Sequence, residues 1–134
     1  MLKAILSIAG QGGLFKLVSQ GKNTIIVEDI ATGKRLPAYA TSRVSALEDI
    51  SMYTTEGDVT LKEVMANIYK YTKGEQAIDP KKASSDELKK YMDNVLPTWD
   101  KDRIYVSDLK KLFGWYNILQ SAGLVSDKIE EEEK

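Results

Sequence analysis

Gly57-Asp58-Val59-Thr60-Leu61-Lys62-Glu63-Val64-Met65-Ala66-Asn67-Ile68-Tyr69 is where the chain changes character. Thr60 and Glu63 stand at the spacing of a capping box, in which each satisfies a backbone donor left free at a helix start. Leu61, Val64, Met65, Ile68 and Tyr69 then recur at the i, i+3, i+4, i+7, i+8 spacing of one helix face. Ser84-Ser85-Asp86-Glu87 repeats the device before Leu88, Tyr91, Met92 and Val95, and Pro97 follows the expected end. Ser107 is placed to cap a third helix carrying Leu109, Leu112, Phe113, Tyr116 and Leu119, which Gly123 stops. Gly114 inside that helix costs about 1 kcal/mol against Ala, so it predicts a close approach or a local bend. Thr72 to Lys82, with Gly74, Asp79-Pro80 and little apolar content, predicts a loop exposed to solvent.

Upstream of Gly57 the apolar residues come in short runs instead. Gly10-Gln11-Gly12-Gly13, Gln20-Gly21-Lys22-Asn23 and Ala31-Thr32-Gly33-Lys34 separate Lys3–Ile8, Leu14–Ser19, Thr24–Ile30 and Arg35–Tyr39. Runs of this length divided by turn residues predict a β meander. Pro37 has no N–H for a ladder, so the fourth strand is expected at an edge or a bulge. Thr41–Leu47 reads as a single helical turn, and Asp49–Thr54 as a fifth strand. The expected fold class is α+β: a small five-stranded SH3-like or OB-like β barrel followed by a three-helix unit. The expected division is a β-barrel-like domain over 1–55, a helical domain over 56–124 and a disordered acidic tail over 125–134, with four consecutive Glu. In a chain of 134 residues the two units are expected to pack tightly together.

Composition narrows the chemistry. Nineteen Lys and Arg against twenty Asp and Glu give a net charge of −1, which argues against binding nucleic acid or anionic membrane by bulk charge. The absence of cysteine removes disulfides and thiolate chemistry and fits a reducing compartment, so the expected address is cytoplasmic. The absence of histidine removes the usual proton shuttle and the commonest metal ligand. No cofactor, no metal and no membrane partner are expected, and the segment before Gly10 is too short for a signal peptide.

The motifs that invite catalysis fail on spacing. Gly10, Gly12 and Gly13 follow a strand, but a dinucleotide fingerprint needs glycine where Phe15 stands, and no Gly-Lys-Ser/Thr follows. Asp100 and Asp102 could open a calcium loop, yet Tyr105 and Lys111 occupy its glycine and glutamate positions. Glu28 with Asp29, and Glu48 with Asp49, are neighbours that point to opposite sides of a strand. A helix-turn-helix is weakened by the long segment from Leu96 to Val106, and Trp99, Trp115 and Tyr116 read as packing residues. No catalytic residue is therefore assigned.

The cations are distributed unevenly. Residues 1–47 carry six cations against Glu28 and Asp29, a local balance of +4. Lys16, Lys22, Lys34, Arg35 and Arg43, with Phe15 or Tyr39 exposed among them, form the candidate face for single-stranded nucleic acid, since small barrels bind such strands through basic loops and stacking aromatics. The alternative is that these lysines solubilise strand edges and that Phe15 and Tyr39 belong to the core.

The runs Met1-Leu2-Lys3-Ala4-Ile5-Leu6-Ser7-Ile8, Gly13-Leu14-Phe15-Lys16-Leu17-Val18-Ser19-Gln20, Gly33-Lys34-Arg35-Leu36-Pro37-Ala38-Tyr39 and Trp115-Tyr116-Asn117-Ile118-Leu119 together resemble an uncharacterised bacterial family, a domain of unknown function with a helical C-terminal companion. The resemblance runs to about Gly123 and implies a cytoplasmic bacterial protein, with no activity attached. Function is left as an expectation: a non-catalytic adaptor engaging a protein partner or itself. A single-stranded RNA or DNA module is the alternative, and a carboxylate-dependent enzyme the least supported reading.

Overall fold

The computed structural model describes residues 4–8, 13–39 and 43–125. Gly10, Gly12 and the acidic segment from Ser126 onward lie outside the described residues. Strands β1 (Ile5–Ile8), β2 (Phe15–Gly21), β3 (Thr24–Asp29), β4 (Arg35–Tyr39) and β5 (Val44–Ala46) form one antiparallel sheet in the order β4-β3-β2-β1-β5. The first four strands follow the turn-bounded runs, and Pro37 stands on the edge strand β4, opposite Ile26.

Three expectations are corrected. The helical turn over Thr41–Leu47 is replaced over Val44–Ala46 by β5, which lies antiparallel to β1 with Ile8 opposite Val44 and Ser7 opposite Ser45. The unpaired backbone groups along that side of β1 select the strand conformation there. The strand predicted over Asp49–Thr54 is β6 (Ser51–Thr54), but it pairs with β7 (Gly57–Thr60) in a separate two-stranded sheet. The SH3-like or OB-like barrel is corrected to an open sheet, because β4 and β5 exchange no ladder hydrogen bonds. A three-residue β5 and a proline in β4 leave little ladder to close with. The sheet instead curls round an apolar cluster of its own, to which β1 gives Leu6 and Ile8, β2 Phe15, β3 Val27 and β4 Ala38, with Val44 of β5 packed against them.

Helices α1 (Leu61–Thr72), α2 (Ser85–Val95) and α3 (Val106–Ser121) follow. At α2 the capping box is complete: Ser84 N–H donates to Glu87 Oε1 at 2.8 Å and Glu87 N–H to Ser84 Oγ at 3.1 Å. At α1 one half is present, with Glu63 N–H on Thr60 Oγ1. Helix α3 starts earlier than Ser107 predicts, because Asp108 Oδ2 accepts from Tyr105 N–H at 2.9 Å and closes the first turn from inside. A second, larger core joins the layers: Ile5, Leu14 and Leu47 from the sheet side pack with Leu61, Met65, Leu88, Met92, Leu109, Phe113 and Tyr116 from the helices. The connection from α2 to α3 docks on the hairpin, with Thr55 N–H on Thr98 O and Asp100 N–H on Tyr53 O.

The loop between α1 and α2, expected to be solvated, is fastened to α3. Asn117 Oδ1 accepts from Ala77 N–H at 2.6 Å, and Asn117 Nδ2 donates to Ala77 O and Ile78 O at 3.3 Å each. Gln120 Nε2 donates to Gly74 O, and Tyr116 Oη donates to Glu75 O at 3.2 Å and bonds the Thr72 hydroxyl at 3.1 Å. Burial raises the Tyr116 hydroxyl pKa above its ordinary value, against the lowering pull of the Thr72 hydrogen bond, and burial likewise raises Tyr91. A tyrosine with a raised folded pKa contributes stability that is complete below the unfolded pKa of about 10, begins to fall above it and is lost as pH rises through the higher folded pKa. Thermal unfolding followed by circular dichroism should therefore show the midpoint falling above about pH 10, and Tyr116→Phe should flatten that fall while costing about 1 kcal/mol at neutral pH. An unchanged alkaline slope in Tyr116→Phe would remove this account.

Candidate functional site

Cross-strand pairing sorts the sheet's side chains by face. Leu6, Phe15 and Ala46 share the face that closes on the sheet's own cluster, whereas Ile5 beside Lys16, and Ser7 beside Ser45, share the face turned to the helices. Ile5 is buried against the helical core. Beyond it, a cleft of about 1000 Å³ opens between this face, α3 and the loop that precedes α2. Arg43 stands at its sheet side, Lys81 on the loop, and Lys110 and Lys111 on α3. No carboxylate lines the cleft among the described residues, and none of these four cations is in an ion pair there. Like charges facing one cavity repel, so an anion entering it relieves a penalty that the empty cleft carries.

The walls are kept open and in place by identifiable means. The Asn117 clasp holds the loop that carries Pro80 and Lys81, and Lys81 N–H donates to Asp79 Oδ1 at 2.9 Å in a local turn. Helix α3 runs unbroken through Gly114, where an added Cβ would lie 3.8 Å from Pro80 Cγ. A methyl at that distance makes ordinary van der Waals contact, so the glycine is not required by a tight approach of helix and loop. Ser7 and Ser45 add hydroxyls to the opposite wall.

A second pocket of about 240 Å³ adjoins the cleft, and Lys111 and Trp115 line both. Its walls are Met52, Leu61, Ile104 and Leu112, with Tyr53, Arg103 and Asp108 among the remaining lining residues. Arg103 lies over the Tyr53 ring at 4.7 Å, and its Nε donates to Asp100 Oδ2 at 3.2 Å, so the guanidinium is held in one orientation. Trp99 is placed otherwise: its Nε1 donates to Asp93 Oδ1 at 2.8 Å, and that hydrogen bond lowers the Asp93 pKa.

The residues singled out from sequence do not converge. Phe15 is 2% exposed inside the sheet's cluster and offers no face to a base. Tyr39 is 57% exposed on β4, opposite Thr24. Lys16 and Arg35 flank Glu28 in one cross-strand row, where Arg35 Nε donates to Glu28 Oε1 at 3.2 Å. Lys22 sits in the turn before β3 and Lys34 in the turn after it, at opposite ends of that strand. Arg43 alone of the five lines the cleft. Lys81, Lys110 and Lys111, which no sequence motif singles out, join it there. The available signal was a Lys-Lys pair one turn before Gly114-Trp115. Glu28 and Asp29 also part company, since Asp29 Oδ1 accepts from Ala31 N–H at 2.8 Å in the following turn. Among the described residues no group of His, Cys, Asp or Glu is placed to hold a metal, and no helix is long and apolar enough to cross a membrane.

Comparison with known proteins finds two family models along the chain. Residues 2–47 match the family model described as Domain of unknown function (DUF5606), and residues 50–119 that described as Domain of unknown function (DUF6852). A solution NMR structure of a protein from Bacteroides vulgatus is 52% identical, covering 94% of this chain and 90% of that one, with a TM-score of 0.79. No curated protein matches. One model spanning more than half of the sequence and a Bacteroides relative aligned along nearly all of it bear out the resemblance: the chain belongs to the bacterial family of these domains of unknown function, DUF5606 and DUF6852.

Proposed function

We propose that this chain is a non-catalytic binding protein of the cytoplasm and that its ligand, an anion carried on an extended chain, lies in the cleft between the sheet and α3. The observation that carries the reading is the set of Arg43, Lys81, Lys110 and Lys111 around one cavity, in a protein of net charge −1. Three separate elements contribute them, so the positive charge is spread along the cleft, which suits several linked anions better than one. A protein partner added as a strand is less favoured. The edges it would use are β5, of three residues, and β4, which carries Pro37, and both are poor templates. An acidic protein segment remains the competing occupant.

Inorganic polyphosphate titrated at low salt tests the cleft as a pure polyanion site. Binding should weaken steeply with added salt, and the double variant Lys110→Glu with Lys111→Glu should weaken it at least about tenfold. Lys16→Glu with Lys22→Glu, which changes sheet cations outside the cleft, should leave affinity within about twofold. Failure to bind any polyanion at low salt, or equal losses from the two double variants, would sink the reading.

A further inference from the structure

We infer that the anion taken by the cleft is single-stranded nucleic acid, with its phosphates along the cation-lined walls and one unpaired base seated beside Trp115 in the adjoining pocket. This rests on the reading of the cleft as a polyanion site and adds a second, independent observation. Lys111 and Trp115 belong to both cavities, so one ligand can occupy the two at once. The smaller cavity, about 240 Å³, is below the size of most drug-like sites and suits a single ring system.

Its chemistry matches a base. Met52, Leu61, Ile104 and Leu112 give apolar walls for ring faces, and Trp115 gives an indole for stacking. Arg103, fixed over Tyr53 by Asp100, adds a planar guanidinium, the other group on which unstacked bases lie. Asp108 supplies carboxylate oxygens at the same wall. A ligand with flat apolar faces, hydrogen-bonding edges and a chain of negative charge answers both cavities. An acidic peptide without aromatic residues fills the cleft but brings no ring, and inorganic polyphosphate leaves the pocket empty. A duplex keeps its bases stacked and paired, out of reach of a pocket that takes one ring.

The test compares an oligonucleotide of about eight residues, as oligo(U) and as oligo(dT), with an abasic oligomer carrying the same number of phosphates. Fluorescence anisotropy at low salt reads the affinities. Either base-bearing strand should bind roughly tenfold to a hundredfold tighter than the abasic one, the range that stacking of one base supplies. With four phosphates neutralised, the logarithm of affinity should fall against the logarithm of salt with a slope of about −2.8. Trp115→Ala should lower the base-bearing strands far more than the abasic one and so remove most of the difference between them, and a thermal melt checks that the variant is folded. Should it not fold, Arg103→Ala, on an exposed side chain, should lower base-bearing affinity several-fold more than abasic affinity. Tyr39→Ala should change neither. Equal binding of abasic and base-bearing strands would overturn the base pocket while leaving the polyanion cleft standing. Failure of every strand and of polyphosphate would remove both.

Discussion

Phe113→Ala should lower the thermal midpoint by roughly 10 to 20 °C, the equivalent of about 3 to 5 kcal/mol. Phe113 is fully buried on α3 and meets Tyr91 of α2 edge to face, with centroids 5.2 Å apart and planes at 78°. Tyr91 in turn meets Tyr71 of α1 at 5.1 Å and 86°. One line of rings thus connects all three helices, and truncating its innermost member removes burial, leaves a cavity and strips one aromatic pair of about 1 kcal/mol. Against a total stability of about 5 to 15 kcal/mol, the loss is a large fraction. Phe113→Leu keeps most of the volume and should cost under about 1.5 kcal/mol more than nothing. Chemical denaturation of both variants decides the matter: equal, small losses would show that the site collapses freely and that the rings are not what joins the helices.

Asn117→Asp should cost about 2 to 3 kcal/mol although it changes one atom. The amide oxygen accepts from Ala77 N–H, and a carboxylate can still do so. The amide nitrogen donates to two carbonyls, Ala77 O and Ile78 O, and a carboxylate oxygen there would face both without a proton. Half-buried acceptors left unpaired cost about 1 to 3 kcal/mol each, moderated here by water reaching the loop. Asn117→Ala should be similar in size, and in both variants the Ala77 amide should exchange with solvent faster by an order of magnitude or more. The loop carries Lys81, so polyanion binding should weaken in parallel. A full-strength cleft on a loosened loop would show that Lys81 contributes nothing to it.

What could be read from the chain was local. Capping residues and a helical period specify α1 and α2 within a few neighbours, and the turns at Lys22-Asn23 and Gly33-Lys34 delimit β2 to β4 in the same way. What could not be read depends on distant partners. Val44–Ala46 is too short to declare itself and becomes a strand because β1 offers an edge. Nothing within Gly57–Thr60 marks a strand, and its pairing with Ser51–Thr54 is what makes it β7. Asn117 lies mid-helix with nothing beside it in sequence to show that it clasps a loop. The cleft has the same character: its cations stand at 43, 81, 110 and 111, and a charge count over the first 47 residues could register only Arg43.

The return of β5 to β1 also sets an order of assembly. Strands β2, β3 and β4 are joined by tight turns and can zip in sequence, each closure holding back only a few residues. Ile8 must find Val44 across all of them, and the entropy of closing that long loop is the largest in the sheet. The sheet-side wall with Arg43 and Ser45 is thereby the last part of the sheet to be put together, and Lys81, Lys110 and Lys111 come later still in the chain, so affinity for a ligand arrives only with the finished fold.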